Sequence, residues 1–515
     1  MHAFQQKRST TTSAAQSPSE ELKIAVTFKR ANGDPGPTKF EAPLSVDSVK
    51  RFAPDPLEVD RAVHALRTRG FVVSARGALS VSVRGTRKQF EEVFGTKLET
   101  VQLDRAHPYA YHNFYFPPPG APWNPEPQVA AVIDDAYIQW PHIYMSGLAP
   151  VLTPARMPAR APLPSPKPPQ VNYFQLDVPN GVAAYINASR VHAAGTTGKG
   201  VRVVMVDSGF GHTLHPFFAA NGYRSSVDLA PGATNDKTDE NGHGTGESAN
   251  VFSVAPGATF IGVKVDRDGD PRGGASLLEG FQTALTHNPQ VISISMGYDL
   301  RDAAGQLFEL PNSLAALEAE VQSAVAAGIV VVFSAGNGHF SFPGMMPDVI
   351  SAGGTFADQD GSSQASDYAS AFQSKIYSGR NVPDFCGLVG LLPRAAYIML
   401  PIPPNCAIDN EESRVDGEGN RGDGTTPMDG WGVFSGTSAA APQLAGVCAL
   451  LLERNPGLTP TDIKAALRRT ARDVTAGHSN PASSDDMLTP MQAGLGDDGS
   501  TGAGLVDAYA AWQQM

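Results

Sequence analysis

The most informative segment of this chain reads Phe434-Ser-Gly-Thr-Ser-Ala-Ala-Ala-Pro-Gln-Leu-Ala-Gly446 and has Ser438 at its centre. A Gly-Thr-Ser step followed by small residues leads into an apolar helical run, 444–452. The hydroxyl of Ser438 is therefore expected at or near a helix N-terminus, where unpaired backbone N–H groups and the dipole favour negative charge. Such a position suits a nucleophile that forms an oxyanion beside it. The alternative is an ordinary Ser/Thr helix cap.

Two segments upstream of Ser438 are apolar strands with polar or glycine ends. The run 328–338 is a buried β-rich segment that ends at Asn337, and the run 291–297 ends abruptly at a glycine. Each has a simpler interpretation, because Ala-Gly-Asn-Gly is also a turn signal.

Two further candidate residues, an aspartate and a histidine, lie closer to the N-terminus than these segments. The run 201–209 is a buried strand that ends at Asp207, and His243 stands between two glycines at a predicted helix start. A strand-end Asp is often a turn residue, and a histidine between glycines is often a loop residue. If Asp, His, Asn and Ser had no shared function, all four of these simpler interpretations would have to be true at once. The combined pattern therefore favours a catalytic site.

The four motifs resemble those of the subtilisin-like serine proteases, and the resemblance covers about residues 175–515. The motifs are Asp207-Ser-Gly, Gly-His243-Gly-Thr, Ser-Ala-Gly-Asn337-Gly and Gly-Thr-Ser438-Ala-Ala-Ala-Pro. The chain order Asp, His, Ser is that of subtilisin. The resemblance implies an α/β domain with a mostly parallel central sheet flanked by helices. It also implies a serine endopeptidase that needs no cofactor for its chemistry and acts on peptide or protein substrates.

The same resemblance implies a role for each site residue. Ser438 attacks the peptide carbonyl, His243 takes and returns the proton, and Asp207 orients the imidazole. Asn337 donates its amide to the oxyanion. An extended substrate pairs with an edge strand by β-augmentation. The residues of that strand are Ser295, Met296 and Gly297.

The N-terminal region has a different pattern, in which strands and short helices follow in the order β-α-β-β-α-β. The sequence predicts strands at 22–28, 71–73, 79–85 and 97–101, with helices at 55–70 and 86–94. This order predicts a ferredoxin-like α+β domain. The segments 70–73, 81–85, 89–98 and 127–135 resemble the activation domain of sedolisin and kumamolisin proteases. A generic α+β domain with another partner is the alternative.

These patterns predict four parts of the chain. Residues 1–20 are expected to be disordered, 21–145 to form the activation prodomain, 146–172 to be a Pro-rich linker, and 173–515 to be the peptidase domain. The protein is then a zymogen whose own prodomain acts as an intramolecular inhibitor or chaperone. Cleavage in or near the linker would remove it. The alternative for the linker is a passive spacer that is never cut.

The two resemblances disagree at the reaction centre. Sedolisins use a Glu/Asp pair and an oxyanion Asp, where this chain has His243 and Asn337. Glu247 follows His243 by one helical turn, and we consider two interpretations of it: a residue that faces the cleft and tunes His243, or a solvated or capping glutamate. Two other functions stay open: a carboxylate-assisted acid serine peptidase of sedolisin type, and a catalytically silent protease-fold binding protein.

Composition narrows the class of protein. The 515 residues carry 39 Lys+Arg and 51 Asp+Glu, a formal charge of −12, so a nucleic-acid partner is not expected. We expect no membrane segment and see no secretory signal peptide, so the sequence leaves secreted and cytoplasmic locations open. Three cysteines argue against a disulfide scaffold, and Cys386 and Cys406 could pair only in an oxidising compartment.

Two further segments carry expectations. The segments 472–480 and 496–502 resemble the calcium loop of sedolisins, which would make Asp473 and Asp498 oxygen ligands of a structural Ca²⁺; a pair of Asp/Gly turns is the alternative. Residues 387–430 form an insertion before Ser438. Its second half, 409–429, is acidic and Gly-rich and is expected to be a mobile surface loop, with a lid or substrate-selecting role left open.

Overall fold

The computed structural model describes residues 21–30, 32–37, 43–102, 113–118, 120–144, 164–302, 305–415 and 422–515. The segment 1–20, expected to be disordered, and residues 146–163 of the expected linker lie outside these ranges. Two sheets dominate the described chain, one of four strands near the N-terminus and one of eight strands at the centre. No helix in these ranges combines the length and the apolar character needed to cross a membrane.

The secondary-structure elements of the N-terminal part precede residue 145. They are β1 (Glu21–Phe28), α1 (Val46–Val49), α2 (Pro56–Thr68), β2 (Val72–Arg76), β3 (Ser80–Thr86), α3 (Arg87–Val93), β4 (Glu99–Gln102), β5 (Asn113–Phe116), α4 (Pro127–Ala130), β6 (Ile133–Ile138) and β7 (Ile143–Tyr144), with a 3-10 turn at Lys50–Phe52.

The rest of the chain alternates strands and helices. Its strands are β8 (Leu176–Asp177), β9 (Arg202–Asp207), β10 (Ser225–Leu229), β11 (Thr259–Lys264), β12 (Val291–Ile294), β13 (Met296–Asp299), β14 (Arg301–Asp302), β15 (Gly305–Gln306), β16 (Val330–Ser334), β17 (Ser341–Phe342), β18 (Ile350–Ala357), β19 (Ser363–Ala365), β20 (Phe372–Gln373), β21 (Asn381–Val382), β22 (Phe385–Leu388), β23 (Ile398–Pro401) and β24 (Trp431–Val433). Its helices are α5 (Asn180–Tyr185), α6 (Ala188–Ala193), α7 (Pro216–Ala220), α8 (His243–Val254), α9 (Leu277–Leu285), α10 (Asn312–Ala326), α11 (Ala407–Glu412), α12 (Thr437–Arg454), α13 (Pro460–Thr470) and α14 (Ala508–Gln513), with 3-10 turns at His212–Leu214, Pro271–Gly273 and Pro481–Ser483.

The N-terminal sheet has the order β2-β3-β1-β6, and all of its pairings are antiparallel. The strand expected at 97–101 to close this sheet exists as β4, but it pairs with β5 in a separate hairpin. The fourth strand of the sheet is β6. The difference follows from apolar content: Glu99–Gln102 holds one apolar residue, whereas Ile133 and Ala136 of β6 are buried in the core beneath β1.

The two faces of this sheet have opposite character because side chains alternate along a strand. Ile24, Val26 and Val81 are buried on one face, against α2 and α3. Alternate positions on β3 instead carry Ser82 and Arg84, and this polar face covers α9 and α10 of the following domain. The N-terminal part therefore docks through hydrogen bonds from this polar face and through apolar contacts, since Ala25 and Trp140 join the core around α9 and Leu79 packs with Ala319 of α10.

The central sheet has the order β10-β11-β9-β12-β16-β18-β19, with β22 beside β18. All neighbours are parallel except β18 and β19. Its inner strands are buried on both faces: in β9, Val203 and Met205 pack on the side of α8 and α12, and Val204 and Val206 pack on the side of α9. The expected α/β class, a mostly parallel sheet flanked by helices, is confirmed.

The insertion 387–430 is more ordered than the sequence suggests. It contains β23 and α11 and ends at β24, which pairs with β23. Asp409 and Glu412 are buried whereas Arg414 and Val415 are exposed, so the expected surface position over 409–429 holds for only part of its described residues. Its acidic side chains have internal partners: Asp409 accepts from the N–H of Asn405 at 2.6 Å, and Glu412 pairs with Arg394.

All three cysteines are buried as free thiols. The pairing of Cys386 with Cys406 that an oxidising compartment could have allowed is therefore not formed. Cys406 instead packs its sulfur against the backbone at Gly242, immediately before His243. Next to it, the N–H groups of Ala407 and Ile408 donate to the carbonyl oxygens of Glu240 and Asn241. The insertion therefore braces the loop that carries the histidine.

Candidate active site

Ser438 is the second residue of α12, and its side chain does not cap the helix. Gly436 occupies the N-cap position, and no side chain makes a cap hydrogen bond there. The Ser438 hydroxyl donates to the carbonyl oxygen of Ser295 at 3.4 Å, while the Ser295 hydroxyl donates to the carbonyl oxygen of Ser438 at 2.9 Å. Ser438 thus lies at a helix N-terminus beside β13, as expected, and the interpretation as a helix cap is not observed.

His243 and Asp207 meet across the end of the central sheet. Asp207 is the last residue of β9, and His243 is the first residue of α8. The imidazole Nδ1 lies 2.7 Å from Asp207 Oδ1, and both side chains are buried. Since an ionised carboxylate only accepts hydrogen bonds, Nδ1 carries the proton and the lone pair lies on Nε2. Within the described residues Nε2 makes no hydrogen bond, so Ser438 and His243 are not linked in this structure.

The charge of Asp207 controls the protonation of His243. Burial alone would lower the pKa of His243, but the charge and hydrogen bond of Asp207 outweigh it and raise that pKa to about 9. Glu247 and Asp239 add to the increase. The folded-state pKa therefore lies above the ordinary value of about 6.5. The His243–Asp207 pair stabilises the fold fully below about pH 6.5, and this contribution is lost as pH rises through about 9.

Asp239 fixes the loop that delivers His243, and the sequence analysis missed it. One carboxylate oxygen accepts from the Ser208 hydroxyl at 2.9 Å and from the N–H of Gly242 at 2.9 Å. The other accepts from the N–H of Thr245 at 2.9 Å and from its hydroxyl at 2.7 Å. One buried carboxylate thus ties the strand end after Asp207 to the first turn of α8. The signal in the sequence was an Asp three residues before a glycine at a helix start.

Asn337 contacts Thr437, which is the first residue of α12 and directly precedes Ser438. Its Oδ1 accepts from the N–H of Thr437 at 2.9 Å and from the Thr437 hydroxyl at 3.1 Å. This contact fixes which end of the amide faces α12. Position 436 is sterically restricted as a result, since a Cβ on Gly436 would lie 2.5 Å from Asn337 Nδ2. Asn337 therefore lies beside the backbone that leads into Ser438.

Glu247 is fully buried, so the interpretation as a solvated glutamate is wrong. Its Oε2 accepts from the side-chain amide of Asn250 at 2.9 Å, and the Oδ1 of Asn250 accepts from Gln443 at 3.1 Å. These contacts link α8 to α12. Burial raises the pKa of Glu247 to about 8, and the opposing charge of His243 limits the increase. Glu247 is buried because the protein encloses α8 on all sides, and every residue of this helix is buried.

The strand β13 holds a segment of the N-terminal part in an antiparallel pairing. Met296 pairs with Tyr144, and Gly297 pairs with Ile143. The ring of Tyr144 lies 5.2 Å from that of His243, at an interplanar angle of 45°. Two residues of the expected substrate strand, Met296 and Gly297, are thus already paired with this chain's own residues.

The two segments expected to bind calcium form hydrogen-bonded turns. Asp498 accepts hydrogen bonds from the N–H groups of Gly494, Ser500 and Thr501 and from the Thr501 hydroxyl. Asp473 accepts from the N–H of Gly496. In the ranges that the structure describes, no group of three or more His, Cys, Asp or Glu side chains could hold a metal ion. These hydrogen bonds are those of Asp/Gly turns, and calcium binding at Asp473 and Asp498 stays a prediction.

Comparisons with known proteins identify related sequences. The model of the Subtilase family matches residues 198–488. Subtilisin E of Bacillus subtilis (strain 168) is 28% identical over 331 residues, which cover 59% of this chain and 71% of that protein. Serine protease AprX of the same strain is 32% identical over 306 residues, which cover 53% of this chain and 61% of AprX.

A solved structure resembles the fold over nearly the whole chain. Fervidolysin from Fervidobacterium pennivorans, described as a keratinolytic enzyme related to subtilisin, aligns with a TM-score of 0.50 at 18% identity. The alignment covers 96% of this chain but only 61% of the fervidolysin chain. At this identity the likeness concerns the fold alone.

Proposed function

This chain belongs to the subtilase family of serine-type endopeptidases, and from that premise we propose that Asp207, His243 and Ser438 form its catalytic triad. The observation that carries the proposal is the 2.7 Å contact between His243 Nδ1 and Asp207 Oδ1. It orients Nε2 as the proton acceptor at the edge of the sheet where Ser438 begins α12. No cofactor is required for this chemistry.

The reaction proceeds in two steps through an acyl-enzyme. After the Ser438 hydroxyl turns from Ser295 to Nε2 of His243, it attacks the peptide carbonyl as Nε2 takes its proton. The imidazolium, stabilised by Asp207, then protonates the leaving amine. Water repeats the attack on the ester, His243 again accepts and returns the proton, and the serine is released. Apo structures often lack the Ser–His hydrogen bond, because it tightens only with substrate.

Asn337 is proposed as the oxyanion donor. Its Oδ1 is held by Thr437, so its Nδ2 lies on the side of Gly436, next to the nucleophile. A fixed donor at this point stabilises the tetrahedral oxyanion together with a backbone N–H at the start of α12. The amide needs no reorganisation when charge develops, because the helix terminus already fixes it.

The substrate is proposed to bind as an added strand on β13, through Ser295, Met296 and Gly297. The pairing of Ile143 and Tyr144 with this strand supports the proposal, since it is the main-chain arrangement expected of an extended peptide. An antiparallel peptide in this register sets its next residue opposite Ser295, whose carbonyl oxygen faces Ser438. The residue bound at the position of Tyr144 is then the second before the cleaved bond.

We propose that the N-terminal part, 21–145, is an inhibitory prodomain of a zymogen and that 146–172 is its linker. The support is that β7 lies in the cleft while the N-terminal sheet docks on α9 and α10. With Tyr144 as the second residue before the cleaved bond, the first cleavage is proposed between residues 145 and 146. A passive spacer would leave the chain uncut.

Two other functions make different predictions. A carboxylate-assisted acid peptidase would act best below about pH 5, where an ordinary histidine is protonated. The contact of His243 with Asp207 and the presence of Asn337 favour the histidine mechanism instead. A silent binding protein would bind peptides on β13 without turnover.

Covalent labelling tests the proposed function. We expect the processed protein to react with a fluorophosphonate probe, with the adduct on Ser438. The Ser438→Ala variant, processed in the linker by an added protease, should take up none. Absence of label on the processed wild type from pH 3 to 9 would contradict the triad and favour the silent binding protein.

A further inference from the structure

A buried carboxylate faces the cleft on the side opposite β13. Asp266 lies two residues after the end of β11, and its N–H donates to the carbonyl oxygen of Ser208 at 3.3 Å. This bond anchors its backbone to the residue that follows Asp207. Asp266 is therefore held by the same strand ends that hold the catalytic aspartate.

Tyr144 contacts both His243 and Asp266. Its ring lies against His243, and its hydroxyl donates to Asp266 Oδ1 at 2.7 Å. Tyr144 is half-buried, and burial together with the charges of Asp266 and Asp207 raises the pKa of its hydroxyl well above the ordinary value. The contact therefore joins a neutral phenol donor to a buried acceptor.

Burial raises the pKa of Asp266 to about 8, and in either protonation state the carboxyl keeps an oxygen that accepts a hydrogen bond. Asp207 and Asp239 are the other buried acids within electrostatic range. Two lysines lie within electrostatic range of Asp266, namely Lys264 and Lys23. The ammonium of Lys264 donates to Asp268 Oδ1 at 2.5 Å and to the carbonyl oxygens of Asn235 and Thr238 at 3.1 and 3.0 Å. Lys23 belongs to β1, in the N-terminal part that the proposed processing removes. An apolar side chain bound here would leave the carboxylate buried without its partner, which costs free energy.

We propose that Asp266 is a specificity-determining residue that selects peptides with a hydrogen-bond-donating side chain, such as Tyr or Lys, as the second residue before the cleaved bond. The inference rests on the proposed peptidase function and on the strand register at Met296. The peptide's aromatic ring or methylene stem covers His243, and its donor atom meets Asp266. Tyr144 is the example that the chain itself supplies.

The test compares peptides that differ only at this position. On the processed wild type, kcat/KM for the Tyr peptide should exceed that for the Phe peptide by about tenfold or more, and the Lys peptide should also exceed the Leu peptide. Asp266→Leu should bring the Tyr/Phe ratio close to one. Asp268→Asn, two residues along the same loop, should keep the ratio, because its carboxylate serves Lys264.

The possible results distinguish a failure of the Asp266 proposal from a failure of the proposed peptidase function. A wild-type Tyr/Phe ratio near one, or a preference for Phe and Leu, would overturn the role of Asp266 while leaving the peptidase intact. If no peptide is cut and the fluorophosphonate probe does not label Ser438, the proposed function fails first. An unchanged ratio in Asp266→Leu would also overturn the inference, since the ratio does not depend on how much of the variant is folded.

Discussion

The side-chain amide of Asn337 has two ends with different roles. Oδ1 holds the N–H of Thr437 at 2.9 Å, and Nδ2 is the proposed oxyanion donor. We expect Asn337→Leu to lower kcat by about 10²–10³-fold, the range found for such a donor in subtilisin. The measurement is steady-state kinetics on the processed protein.

Asn337→Asp is the matched control for that substitution. It retains an acceptor for Thr437 but replaces the donor with a second acceptor, so kcat should fall while the thermal midpoint changes little. A variant that kept full kcat would show that the amide does not stabilise the transition state.

Glu247 offers a second test at the residue scale. Its negative charge raises the pKa of His243, so Glu247→Gln should lower that pKa. Neutral imidazole would then be present at lower pH, and the acid limb of the kcat/KM profile should move to lower pH. The profile is measured with one peptide across the pH range.

Glu453→Gln is the control, because this glutamate accepts from the N–H groups of Thr197 and Gly198, away from the histidine. If the acid limb of Glu247→Gln coincides with that of the wild type, Glu247 serves only the contact between α8 and α12.

At the scale of elements, the entry into α12 decides how close the oxyanion donor comes to the nucleophile. A methyl group on Gly436 would meet Nδ2 of Asn337 at 2.5 Å, so one of the two must move. We expect Gly436→Ala to lower kcat by about 10²-fold, as misplacement by an ångström can do. Gly457→Ala, where the nearest atom lies at an ordinary 3.5 Å, should leave kcat unchanged. Equal kcat in the two variants would contradict the proposed geometry.

At this scale, the sequence predicts a residue's position only where the pattern that indicates it lies among neighbouring residues of the chain. Strand ends and glycine-flanked helix starts are local, so Asp207, His243 and Ser438 could be assigned to their elements. Asp239 and Asp266 could not, because their roles depend on which loops the parallel sheet brings together. Part of the insertion was misjudged for the same reason: its acidic composition predicts exposure, but Arg394 and backbone N–H groups cover its carboxylates.

At the scale of the whole molecule, the N-terminal part docks in part through a polar face. Arg84 on β3 makes two hydrogen bonds of 2.9 Å to Glu279 on α9, and Glu320 on α10 accepts from the N–H groups of Leu79 and Ser80 at 2.9 and 2.7 Å. The alternation of Ser80, Ser82 and Arg84 with valines was visible in the sequence, but its partners were not. They come from α9 and α10, about 200 residues further along.

Removal of Arg84 should loosen this interface. Arg84→Ala leaves Glu279 buried without its charge partner, which costs about 3–5 kcal/mol. In a Ser438→Ala background, which keeps the chain whole, hydrogen exchange at the amides of β1 and β3 should report this loss as a lower opening free energy.

Arg76→Ala is the control for the interface. Its ion pair with Asp60 is exposed on the surface, and such a pair contributes about 0–1 kcal/mol. If both variants lost the same small protection, the Arg84–Glu279 pair would not hold the two parts together.

The central claim is that this chain cuts itself with Ser438 and so releases its own inhibitor. Intact-mass spectrometry of the purified wild type and of Ser438→Ala over time tests it most directly. We expect the wild type to separate into a fragment that ends at residue 145 and a fragment that begins at 146, while Ser438→Ala stays whole. A wild type that remains uncut, or a Ser438→Ala chain cut at the same bond at the same rate, would contradict the account.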